Sequence, residues 1–366
     1  MRRALAAAAC LVLLGSTAHA SPLDGGPLCF PVTPTEHPKA HGLRMGVDVG
    51  LAGNLVPVSA STPPAINKAK ERKALQGLHK ELVIRLNRLF WSGGEPLLQQ
   101  FAAEARAQAH NGFNVEVQVR YHPANADIGN VAGFSTWVRH VVDVLGRNPH
   151  LVALTVTNEV NFTISPNTSD GFYPGATQAL IQGIQAAHDQ LTRHHWDRRV
   201  KVGFTYAYRF NPITDRTLFT DLANAPDSFR KALGFVGLDD YPGTVYPPAI
   251  PPGSSPGNEM ATAIATMRTC YLPLANIASS TPLWITENGF GSGSPQHSEA
   301  QQASALTGMI SGAKAVAGTY NVTDYRWFNL RDNDTGGSGT FDQDGLVRDD
   351  YTHKPSYDAF ARQLLH

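Results

Sequence analysis

Cysteine is scarce: Cys10, Cys29 and Cys270 are the only three among 366 residues, which excludes a disulfide-dense scaffold. Neither sign of charge is in excess, with 30 basic against 30 acidic side chains. There is no bulk field to recruit nucleic acid or an anionic membrane, and neither is expected as a partner. Long apolar runs are missing too. The most apolar stretch, residues 4–15, falls short of the roughly 20 residues that span a bilayer. Charged residues make up only 16% and hydrophobic ones 42%, a balance that suits a packed core, and nothing in the chain repeats. Disorder, a coiled coil and a collagen-like rod are excluded together.

The short apolar stretch is preceded by Arg2 and Arg3 and followed by Ala18-His19-Ala20. That order reads as a secretory signal peptide, residues 1–20, cut before Ser21. The mature chain is expected to be soluble, secreted and monomeric. Cys10 leaves with the leader, and an oxidising destination permits one disulfide between Cys29 and Cys270, the other reading being two buried thiols. Asn161, Asn167, Asn321 and Asn333 stand in N-x-S/T triplets, which matter only in a host that glycosylates asparagine.

Residues 21–41, rich in Pro and Gly, read as an N-terminal arm leading into one domain over 42–366. Within it short apolar runs alternate with longer amphipathic ones. The runs predict strands at 43–49, 82–90, 115–121, 151–157, 202–208, 235–239, 283–286 and 324–329. Helical patterns fall at 66–80, 95–110, 131–146, 175–195, 214–232, 258–272, 297–317 and 355–365. Eight β-α repeats predict a single (β/α)8 TIM barrel. A doubly wound sheet would want a Gly-rich turn after its first strand, whereas Gly46-Val47-Asp48-Val49-Gly50 falls within the strand. In 115–122, Val115, Val117, Val119 and Tyr121 alternate with Glu116, Gln118, Arg120 and His122. The apolar face is expected against the helices and the polar face toward the barrel interior.

Barrel active sites lie at the C-terminal strand ends, and two glutamates fall there. Glu159 closes the fourth strand in Thr157-Asn158-Glu159, and Glu287 the seventh in Ile285-Thr286-Glu287-Asn288-Gly289. A carboxylate after an apolar run is costly unless it faces the mouth and finds partners. Two carboxylates across a barrel mouth are what glycosidic cleavage needs: an acid for the leaving oxygen and an anion for the anomeric carbon. Either could otherwise serve a structural ion pair.

On these two motifs, each on its expected strand, the chain resembles a clan A glycoside hydrolase. The resemblance implies that Glu159 is the acid/base and Glu287 the nucleophile of a retaining reaction on β-linked glycans, with no cofactor and no metal. It also implies substrate-site roles. Arg85 would hydrogen-bond the nucleophile, with Arg88 as a rival on the opposite strand face. Asn158 would hold the sugar 2-hydroxyl, His122 would end strand three in the site, Tyr241 would touch the nucleophile, and Trp327 would floor the sugar subsite. Trp91, in a predicted loop, is a further stacking platform.

Other motifs carry less. The Asp-rich segment with Asp332, Asp334, Asp342 and Asp344 departs from the twelve-residue calcium-loop pattern and reads as a solvated acidic loop. Gly253-Ser254-Ser255-Pro256-Gly257 satisfies G-x-S-x-G but lacks the strand–turn–helix context of a nucleophilic serine. Two rival functions stand beside hydrolysis: a barrel that binds glycans without cutting them, which has no need of both glutamates, and a transglycosylase using the same residues.

Overall fold

The computed structural model describes residues 42–50, 62–78, 81–163, 165–208, 212–293 and 297–365. The expected signal peptide, arm and Cys29 lie outside the described residues. Cys270 is disulfide-bonded.

Eight parallel strands close into a barrel in chain order: β1 (Arg44–Asp48), β2 (Val83–Phe90), β3 (Asn114–Arg120), β4 (Leu151–Val156), β5 (Lys201–Ala207), β6 (Phe235–Asp239), β7 (Leu283–Glu287) and β8 (Val322–Trp327). β8 returns to pair with β1. Around them run α1 (Lys68–Leu78), α2 (Gly94–His110), α3 (Val131–Leu145), α4 (Ala176–Arg193), α5 (Pro212–Ala223), α6 (Asp227–Ala232), α7 (Pro256–Thr266), α8 (Leu272–Leu274), α9 (Glu299–Tyr320) and α10 (Pro355–Gln363). This is the (β/α)8 barrel that the β-α rhythm predicts.

Departures from the predicted elements have local causes. The helix expected over 214–232 is two helices, because Pro226, with no N–H to donate, stands at the N-cap of α6. β8 begins two residues before its predicted start, since Asn321 at φ 54° caps α9 in the left-handed region and the strand follows at once. Ser255 of the G-x-S-x-G match caps α7, its hydroxyl accepting from the Asn258 N–H. Asp332, Asp342 and Asp344 are buried, which corrects the expectation of a solvated loop. Asp332 pairs with Lys354 at 2.6 Å, and Asp342 accepts from Asn333 and the Gly339 N–H. Asn161 and Asn333 are also buried, so the folded protein offers neither for glycosylation.

The strand alternation resolves as expected. Val115, Val117 and Val119 are buried in the layer shared with the helices, while Glu116 reaches across the interior to Arg326 at 3.0 Å. At the floor of the barrel Phe235 stacks on Trp284 at 3.7 Å, and the guanidinium groups of Arg44 and Arg326 lie over that indole. These bulky groups fit because small residues face them. A Cβ on Gly46 would stand 2.4 Å from the Val83 carbonyl oxygen and 2.5 Å from Arg326 Cδ. Gly46→Ala is therefore expected to destabilise the fold by about 1–3 kcal/mol through overpacking, read as a lower urea midpoint at unchanged slope; an unaltered midpoint would refute this packing account.

Candidate active site

A cavity of about 360 Å³ opens at the C-terminal ends of the strands. Strict alternation after β4 would send Asn158 and Glu159 to opposite sides. Instead Thr157 (φ 65°) and Glu159 (φ 44°) take left-handed backbone, and both Asn158 and Glu159 line the cavity. Such strain persists only where surroundings over-determine it. Here the buried Asp170 does so, accepting from the backbone N–H of Asn158 at 2.9 Å, that of Tyr121 at 2.7 Å, and Arg120 Nε at 2.9 Å. Burial pushes the Asp170 carboxyl up to about 6 against the pull of Arg120. The Asn158 side chain is fixed at both ends. Its oxygen accepts from Gln118 (2.7 Å) and Thr205 (3.1 Å), and its nitrogen donates to the Thr168 carbonyl (3.0 Å).

Glu287 ends β7 directly opposite. Arg85 donates to one carboxylate oxygen at 2.5 Å and the Tyr241 hydroxyl to the other at 2.8 Å. Arg85 itself is fully buried and also faces Asp48 at 3.2 Å and Glu116 at 3.3 Å. Burial raises the Tyr241 phenol well above its ordinary range, and Glu287 adds to the shift, so the hydroxyl remains a donor.

A third carboxylate joins the two glutamates. Asp239 ends β6, and one oxygen each from Glu159, Asp239 and Glu287 lie within 4.8 Å of one another. Burial, with the neighbouring Asp239 and Glu287, raises Glu159 well above the usual carboxylate range. No comparable gathering of carboxylates occurs in the Asp-rich segment after β8 among the described residues.

The expected residues are thus only partly brought together. Asn158, Glu159, Tyr241 and Glu287 line the cavity, and Arg85 lies beneath it on Glu287. Trp91 packs between Tyr121 and Phe134, at 6.0 and 5.7 Å, away from the cavity wall. His122 also lies off the wall, against Phe90 at 4.4 Å with Ser92 Oγ 2.9 Å from Nδ1. Trp327 is fully buried, donating from its indole to the Asp344 carbonyl at 3.0 Å, and Phe328 reaches the wall in its place. The cause is parity: Asp324 and Arg326 point inward on β8, so position 328 continues the inner face.

Arg88 needs a correction. It was expected on the face away from the site, but β2 shifts register between Leu86 and Leu89, with Arg88 at φ 70°, and this irregularity brings Asn87 and Arg88 both to the wall. Arg120 and Gln118 line the wall beside them, and Phe328 and Tyr241 meet Phe341 edge-on. Arg120 and Gln118 were legible from the same alternation that marked Glu116; Phe341, in an irregular loop, had no sequence signal.

No family model and no curated protein matches this chain. Solved structures do. A GH5_18 from Bifidobacterium longum subsp. infantis is 16% identical at a TM-score of 0.61, over 88% of this chain and 78% of that one. A β-glucosidase from Exiguobacterium marinum is 11% identical at 0.60, over 88% and 98%. A fungal β-1,4-galactanase is 12% identical at 0.58, over 87% and 98%. The chain has their fold.

Asp170 is the structural anchor of the fourth-strand turn. Asp170→Ala leaves the buried Arg120 without its partner and is expected to cost about 3–5 kcal/mol in chemical denaturation. A loss below about 1 kcal/mol would show that the turn is held by other contacts.

Proposed function

We propose that this protein is a secreted glycoside hydrolase that cleaves β-glycosidic bonds with retention, in which Glu287 is the nucleophile and Glu159 the acid/base. One observation carries the reading: facing carboxylate oxygens of Glu159 and Glu287 within 4.8 Å of each other. Retention needs carboxyl groups roughly 5–5.5 Å apart, whereas inversion needs roughly 6.5–9.5 Å to admit a water between them. The short separation supports direct attack.

In the first step a Glu287 oxygen bonds to the anomeric carbon, the bond to the leaving oxygen breaks, and the Glu159 proton goes to that oxygen. Water then attacks the glycosyl-enzyme; Glu159 takes its proton, and Glu287 is released as a carboxylate. Arg85 and Tyr241 hold the nucleophile in place and complement its negative charge. The raised carboxyl of Glu159 keeps the proton available above the ordinary carboxylate range. Asn158, fixed through Gln118, Thr205 and Thr168, is placed to bond the 2-hydroxyl next to the reacting carbon. Export rests on residues 1–20, and an exported enzyme would meet an extracellular glycan. Structural neighbours that include β-glucosidases, β-1,4-galactanases and a GH5_18 in complex with Manb1-4GlcNAc support a β-linked substrate without selecting one sugar.

The test is sugar release from a panel of β-linked polysaccharides and oligosaccharides. Wild type is expected to release sugar from at least one member and Glu287→Gln from none. Glu159→Gln should lose about 10²–10⁴-fold on an unactivated glycoside, with much less loss when the leaving group needs no proton. Because the Glu159 proton is held above the ordinary carboxylate range, wild-type activity should fall on the alkaline side as that proton is lost. A folded Glu287→Gln protein that keeps most of the wild-type rate would overturn the assignment.

A further inference from the structure

Asp239 has no part in the two-carboxylate scheme, yet it stands among its members. It is almost fully buried at the end of β6. One of its oxygens accepts from the Thr286 hydroxyl at 2.6 Å, while the other is buried with no hydrogen-bond partner. Among the described residues, the ion pair between Arg85 and Glu287 is the only one made by the three carboxylates. With Glu287 claimed by Arg85 and Tyr241, Glu159 and Asp239 are left as adjacent carboxylates without a counter-ion in contact. Two such groups in a low-dielectric site cannot both ionise readily.

We propose that Glu159 and Asp239 hold one proton between them, so that Asp239 is a positioning residue that retains at Glu159 the proton delivered to the leaving group. The inference rests on the hydrolase reading above and deepens it. Groups from every side agree with it. Glu287 from β7 adds a negative charge to both, and Thr205 on β5 and Thr286 on β7 are neutral. Arg120 on β3, already engaged by Asp170, and Arg85 on β2, engaged by Glu287, Asp48 and Glu116, oppose the effect only partly. Tyr241 from the segment after β6 is a neutral phenol held on Glu287. Burial comes first among the causes that raise both carboxyls well above their ordinary range.

The charge balance closes. Before the first step Glu287 and the proton-sharing pair each carry one negative charge. Afterwards Glu287 is a neutral ester and the pair, having given its proton to the leaving oxygen, carries both.

The test is the pH dependence of kcat/KM for wild type, Asp239→Asn and Asp239→Glu on a glycoside that wild type cleaves. Removing the neighbouring charge should move the alkaline limb of Asp239→Asn toward lower pH by about one unit or more, while Asp239→Glu keeps the limb close to wild type. A lowered rate with an unmoved limb in Asp239→Asn would overturn the proposal, leaving Asp239 a packing residue and the hydrolase reading intact. A second readout needs no turnover: infrared titration of protonated carboxyl groups in the folded proteins. The wild-type minus Asp239→Asn difference should show the shared proton lost above the ordinary carboxylate range. A difference that titrates within that range would refute the sharing even if no glycoside were cleaved, and absence of cleavage by wild type would count against the hydrolase reading alone.

Discussion

The Arg85 guanidinium has no exposure and touches carboxylates from three other strands: Asp48 on β1, Glu116 on β3 and Glu287 on β7. Burial alone would disfavour its charge, but Glu287, Asp48 and Glu116 outweigh that cost and bind the proton more tightly. The chain of alternating charges continues from Glu116 to Arg326, from Arg326 to Asp324, and from Asp324 to Arg44. A buried ion network of this kind adds little net stability over apolar packing, yet removing one member strands the rest. Its value here is positional. The orientation of Glu287 is set by the charges that fill the barrel, on rigid strands rather than on a loop.

Glu159 is held by the opposite means. No ion pair reaches it among the described residues; its place comes from backbone geometry, the left-handed Thr157 and Glu159 pinned through Asp170 and Thr205. Glu287 sits among donors, whereas Glu159 is buried beside the anions Asp239 and Glu287, which raises its carboxyl above the ordinary range. The same fold therefore gives two chemically identical side chains different surroundings, one through buried ion pairs and one through backbone geometry.

What the sequence disclosed follows from what announces a strand face. Arg85, Glu116, Gln118 and Arg120 are polar residues in apolar runs, and their alternation, which a water-facing antiparallel sheet would share, marks the interior once the β-α rhythm is read with it. Asn158-Glu159 and Glu287 were legible because a carboxylate closing a buried strand has few places to go. Trp327 was less legible because an aromatic residue suits either face, and only the parity of Asp324 and Arg326 places Phe328 at the mouth. His122 shares the parity of Gln118 and Arg120 but lies past the end of β3, and Trp91 lies past the end of β2 in a short turn, so strand alternation no longer directs either side chain. Asp239 was hidden because the inward face of β6 before it carries only the apolar Phe235 and Gly237, with no polar residue to declare it. Gly237 is small because the Thr286 hydroxyl would lie 2.4 Å from a Cβ there. The bulge that turns Arg88 inward has no sequence signal at all.

In the proposed reaction Glu287 becomes covalently attached to a sugar. That attachment is tested most directly by incubating the enzyme with a 2-deoxy-2-fluoro glycoside of a cleaved substrate and mapping the modified peptide by mass spectrometry. A single glycosyl adduct is expected on Glu287, decaying on addition of an acceptor sugar. Inactivation with the adduct on another residue, or turnover of the parent glycoside with inverted configuration and no adduct, would contradict it.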